Sequence, residues 1–116
     1  MQKISNSTEN GKVFICSKCD AIHIEFKNLN FNFSETQFKN FTDYILELDG
    51  SEWEYKNRNT HYRRKIIIPT GHKNVKILLN NGELTELKQL LSISKPCLII
   101  SENINTLKLN FTNFLN

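Results

Sequence analysis

Ala21-Ile22-His23-Ile24-Glu25-Phe26-Lys27-Asn28-Leu29-Asn30-Phe31-Asn32-Phe33-Ser34-Glu35-Thr36-Gln37-Phe38 holds two periodicities back to back. Ile22, Ile24 and Phe26 alternate with His23 and Glu25, and Leu29, Phe31 and Phe33 alternate with Asn30 and Asn32, which is the period of half-buried strands. Lys27-Asn28 between the runs suits a two-residue turn, so the stretch predicts a β-hairpin. Ser34 then stands three residues before Gln37, the spacing of a capping box. Phe38, Phe41, Ile45 and Leu48 follow at helical spacing until Gly50, which predicts an amphipathic helix over the hairpin.

The plan recurs 46 positions on, Leu29 being answered by Val75. Val75, Ile77 and Leu79 take the places of Leu29, Phe31 and Phe33; Asn80 and Glu83 those of Ser34 and Gln37; Leu84, Leu87 and Leu91 those of Phe38, Phe41 and Ile45. A strand over His61 to Ile68, stopped by Pro69 and turned at Gly71, is expected to precede it. The expected fold is therefore α+β: an antiparallel sheet with two helices, with duplication of a strand-strand-helix unit open. Neither unit can bury its apolar face alone, so the two must pack together. Residues 1–12 read as a flexible lead-in and 13–116 as a single domain, with units over 13–50 and 51–92 and a C-terminal extension over 93–116. In that extension Cys97 to Ser101 reads as a buried strand, and Leu107, Leu109 and Phe111 alternate as a further strand or partner-binding edge.

The chain has 116 residues and a mass of 13.6 kDa, room for one hydrophobic core and too little for two. No apolar run reaches the length of a membrane span or of a leader's apolar region, and the three cysteines make an odd number; a soluble protein of the reducing cytoplasm is expected. Gly-rich phosphate loops, nucleophile elbows and His-Glu-x-x-His are absent, which argues against the common enzyme classes, and no catalytic residue is assigned.

Two features could carry a function. Cys16-Ser17-Lys18-Cys19 places two thiols within reach of one metal ion or of each other. Zinc is the cofactor it would take, with His23 and Cys97 as further candidate ligands, although a second ligand pair at finger spacing is missing. A thiol-redox pair is the alternative, weakened because a strand rather than a helix follows the cysteines; two unligated cysteines are a third reading. If residues 20 to 23 are extended, His23 lies about 13 Å from Cys19, too far unless the chain folds back.

The second feature is charge. Between Lys56 and Lys76 there are seven Lys or Arg and no Asp or Glu, whereas the rest of the chain has eight against twelve. Lys56, Arg58, Tyr62, Arg63, Lys65 and Lys73 are candidates to meet a polyanion, with Trp53, Tyr55 and Tyr62 as planar faces for bases. The competing reading is internal: the acidic run Asp43, Glu47, Asp49, Glu52, Glu54 stands beside this segment and could pair with it. The partners to expect are nucleic acid or an acidic protein, with a homodimer also open and no membrane. The function expected is that of a small non-enzymatic binding or regulatory module, its cysteine pair holding zinc or its basic segment holding a polyanion.

In the Cys16-x-x-Cys19 pair, the Ile22-His23-Ile24-Glu25-Phe26 strand and the Phe-rich strand and capped helix after it, the chain resembles a family of small bacterial cytoplasmic proteins of unknown function. The resemblance runs from Cys16 to about Leu91, through Trp53 and Lys65-Ile66-Ile67-Ile68-Pro69, and leaves residues 92–116 as an individual extension. It implies a cytoplasmic home and carries no catalytic residue.

Overall fold

A computed structural model describes residues 2–18 and 20–101, with side chains described from 3 to 92. The fold is α+β: a four-stranded antiparallel sheet, a separate two-stranded sheet and three helices. The chain runs β1 (Gln2–Thr8), β2 (Gly11–Cys16), β3 (Ala21–Phe26), β4 (Leu29–Phe33), α1 (Glu35–Glu47), α2 (Gly50–Lys56), β5 (Ile66–Pro69), β6 (Lys76–Leu79) and α3 (Asn81–Ser101).

The hairpin forms as its alternation predicts. Ile22 pairs with Phe33, Ile24 with Phe31 and Phe26 with Leu29, and Lys27 closes the turn at a positive φ of 54°. Ser34 caps α1 reciprocally with Gln37, and Asn80 caps α3 in the same way with Glu83. The strand-strand-helix pattern thus recurs at the level of caps and registers, and α1 packs on α3. The two hairpins do not join: β3 and β4 belong to the sheet ordered β1-β2-β3-β4, and β5 and β6 make their own. Val13, Ile24, Phe38, Ile45, Ile66, Leu84, Leu90 and Leu91 are buried in one core that all three layers share.

Several expectations are corrected. The lead-in is a strand: residues 2–8 form β1, paired with β2 through a bulge between Ile4 and Asn6. Its polar sequence hid it because no apolar alternation marks it: Ser5, at the bulge, is its most buried residue and its Oγ finds no partner among the described residues, while Asn6 and Thr8 hydrogen-bond to α3. Asn6 donates from Nδ2 to the Leu90 carbonyl at 2.9 Å, and Thr8 donates from Oγ1 to Glu86 at 2.7 Å, so α3 holds the strand by polar contacts. Gly50 opens α2, with Asp49 as its N-cap, accepting from the Glu52 amide at 3.2 Å. The strand expected from His61 begins only at Ile66, since no apolar alternation precedes the Ile66-Ile67-Ile68 run and its partner β6 has four residues. Cys97 to Ser101 continues α3 as helix; a short aliphatic run cannot be told from a buried helix segment by periodicity. Leu107, Leu109 and Phe111 lie outside the described residues. Among the described residues no helix is long and apolar enough to cross a membrane.

Candidate binding groove

Three segments meet at one end of the four-stranded sheet. The β1–β2 and β3–β4 turns are joined by the Lys27 amide, which donates to the Asn10 carbonyl at 2.7 Å. Opposite them stand the loop 61–64 and β6, and between lies a groove of about 720 Å³. Phe26, Leu29, Val75 and Ile77 give it apolar walls, while Lys27, His61, Arg63, Arg64 and Lys76 bring cations or an ionisable ring to it. Lys76, Leu78 and Tyr62 also line a second hollow of about 300 Å³, which Lys73 and Asn74 complete.

The only carboxylate among the described groove residues is Glu83, and the protein itself engages it. Arg64 donates to it through Nε at 2.7 Å and Nη2 at 3.1 Å, Lys27 lies 3.7 Å away, and the Asn80 amide donates to it at 2.9 Å. The hydrogen bonds from Arg64 hold the Glu83 carboxyl below the usual carboxylate value against the opposing effect of desolvation, and Glu83 in turn raises Arg64. Arg63 and Lys76, by contrast, meet no carboxylate among the described residues.

Of the residues expected to meet a polyanion, the structure brings Tyr62 and Arg63 into the groove and Lys73 into its extension. The other three are turned to local work. Lys56 lies 3.9 Å from Glu52 within α2, Arg58 donates to the Tyr55 carbonyl at 2.6 Å with its guanidinium 3.9 Å over the Tyr55 ring, and Lys65 donates to the Thr60 carbonyl at 2.8 Å. Of the other groove residues, Arg64 and Lys76 count in the basic run without being named as candidates, and Lys27 and His61 are not expected there. Charge alone marks Arg64 and Lys76, and nothing in the sequence brings the Lys27 turn beside the basic run.

Pairing between the acidic and basic runs proves slight: Lys56 and Glu52 are the one ion pair joining them among the described residues. The acidic side chains are absorbed elsewhere. Asp43 bonds Lys39 at 2.6 Å, Asp49 caps α2, and Glu54 accepts from the Asn81 amide at 3.0 Å at the start of α3. Of the planar residues, Trp53 packs against the core and Tyr55 lies under Arg58, which leaves Tyr62 at the groove.

The candidate metal ligands lie apart from this site. Cys16 ends β2 and pairs with Ala21, whereas Gly11 and Phe26 pair at the groove end, so Cys16 sits about 17 Å away along the strand. Asp20, at a positive φ of 52°, donates its amide to the Cys16 carbonyl at 3.0 Å and turns the chain back. That turn places His23 on the same sheet face as Cys16, diagonal to it across the pair, but its ring stacks on Phe14 at 4.8 Å and its Nδ1 is hydrogen-bonded to Asn32 Oδ1. Cys19 and the Cys97 side chain fall outside what the structure describes. Among the described residues no group of three or more His, Cys, Asp or Glu is gathered as a metal would require.

Comparison with known proteins adds one finding at the level of the whole chain: a model described as a family of unknown function, DUF6686, matches residues 1–116. The match extends beyond the Cys16–Leu91 resemblance and takes in residues 92–116, which are therefore not an individual extension. No curated protein and no solved structure matches.

Proposed function

Because the chain belongs to the DUF6686 family, whose description carries no activity, we propose a function from the groove itself: a binding module that takes an anionic ligand between the β3–β4 turn and β6. One observation carries this reading. Arg63 and Lys76 border an apolar-walled groove with no carboxylate partner among the described residues, while the acid at its floor is spent on Arg64 and Lys27. Cations left uncompensated beside apolar surface attract a ligand that is both negative and partly apolar.

The test is salt-dependent binding of anionic probes, heparin and a fluorescent acidic peptide among them. Arg63→Ala with Lys76→Ala should weaken the wild-type affinity about tenfold or more and make the salt dependence shallower, because two fewer charges are neutralised. No binding of any anionic probe at low salt ends the reading. Since Cys16 lies at the far end of the sheet, chelator treatment and Cys16→Ser should leave this binding unchanged. Zinc content is a separate measurement, made on protein purified without chelator.

A further inference from the structure

β6 is an open edge along the groove. Among the described residues Lys76–Leu79 pairs with β5 alone, and beyond that pairing no hydrogen bond of its backbone occurs. Val75, Lys76, Ile77, Leu78 and Leu79 all line the cavity. Successive residues of a strand point to opposite faces, so a cavity lined by consecutive residues runs along the strand's edge and not across one face. The smaller hollow is lined by the alternate residues Lys76 and Leu78 together with Tyr62, so it opens on one face of the same strand and reaches towards Lys73.

We propose that this edge takes an extended acidic peptide segment of a partner protein, added as a strand beside β6. The inference rests on the anion-binding reading of the groove and names its occupant. An added strand satisfies the unpaired backbone groups of β6, which a short edge otherwise leaves to water. Its side chains alternate: one set meets Ile77 and the apolar surface of Leu29 and Val75, and the other meets Arg63 and Lys76. A segment alternating apolar and acidic residues therefore matches both the register and the charge. Single-stranded nucleic acid fits less well, because it stacks successive bases on several aromatic faces, and this groove offers the exposed Tyr62 beside the His61 ring, Phe26 being buried.

The experiment uses the whole chain and fluorescence anisotropy with a labelled Glu-Val-Glu-Ile-Glu-Val peptide, two analogues N-methylated at alternate residues on one edge or the other, and a ten-residue thymidine oligonucleotide. Strand addition uses one edge of the peptide, so one methylated analogue should lose about tenfold or more in affinity while the other binds like the parent. In the wild type the β6 amides should gain hydrogen-exchange protection with the parent peptide. Equal binding of both analogues and the parent overturns strand addition and leaves the anionic groove standing. Tighter binding of the oligonucleotide than of the peptide overturns it in favour of nucleic acid. Failure of every probe removes the groove reading together with this one.

Discussion

Glu83 serves two structures at once: it returns the cap of α3 through the Asn80 amide and anchors Arg64 across the groove floor, with Lys27 at 3.7 Å. It is buried, 9 % exposed, so its charge is tolerated only because these partners satisfy it. Its carboxyl titrates below the usual value in the folded chain, and the folded state therefore binds fewer protons than the unfolded state as the pH falls. That contribution to stability is present above the ordinary carboxylate range and is lost as the pH drops through the lowered folded value. Thermal unfolding of the wild type from about pH 7 to about pH 3 should show the loss, and Glu83→Gln, which keeps an acceptor for Asn80 and loses the charge, should be less sensitive to acid over that window. Glu83→Ala removes the cap acceptor as well and should cost about 1 to 2 kcal/mol by denaturant titration. An unchanged midpoint for the alanine variant would mean that the cap carries no weight. The capping pair of Asn80 and Glu83 was readable in the sequence because it is set by spacing. The partnership with Arg64, nineteen positions away, was not, because it depends on where a loop without periodicity comes to rest.

Among the elements, those with strong local codes formed where the sequence put them. The β3–β4 hairpin and the helix behind it needed only alternation, a turn and a cap. Elements whose code is tertiary escaped. β1 is held to α3 by the Asn6 and Thr8 side chains and not by an apolar stripe, and α2 is a seven-residue helix with a glycine at its start, too short to show a period. Gly11 shows how closely the first hairpin is packed: a Cβ there would lie 2.7 Å from the Glu25 carbonyl oxygen and 2.9 Å from Leu90 Cδ2. The carbonyl belongs to the β3 backbone and cannot swing aside, so Gly11→Ala should destabilise by about 1 to 3 kcal/mol as overpacking does. Within α1 the apolar stripe is not uniform. Phe38 is fully buried, whereas Phe41 is half-buried and leans on Phe31 and Phe33 at 5.0 and 5.2 Å. Phe38→Ala should therefore cost about 3 to 5 kcal/mol and Phe41→Ala clearly less, the reverse order showing that the helix face is misassigned.

At the scale of the whole molecule, α3 holds the two sheets together. It packs on β1 and β2 of the large sheet, on β6 of the small one, and on α1 and α2. Leu90 is fully buried in this position, and its backbone carbonyl also receives the Asn6 side chain. One turn earlier Glu86 accepts from Thr8 Oγ1 at 2.7 Å, from the Asn10 amide at 2.8 Å and from Asn10 Nδ2 at 2.9 Å, so one carboxylate fastens the β1–β2 turn to the helix. Those bonds, Asn10 first, hold the Glu86 carboxyl below the usual value. The same turn steadies Lys27 through the Asn10 carbonyl, which links the fastening to the groove. Leu90→Ala opens the shared core and should cost about 2 to 5 kcal/mol, lowering the stability of both sheets together. Glu86→Ala leaves the core intact and should cost about 1 kcal/mol, since the lost bonds are partly exposed to water. Its signature is local: faster hydrogen exchange at the β1–β2 turn and β1, with α1 and β5 protected as before. Equal acceleration across the whole chain would show that the turn does not open on its own and that Glu86 acts through global stability.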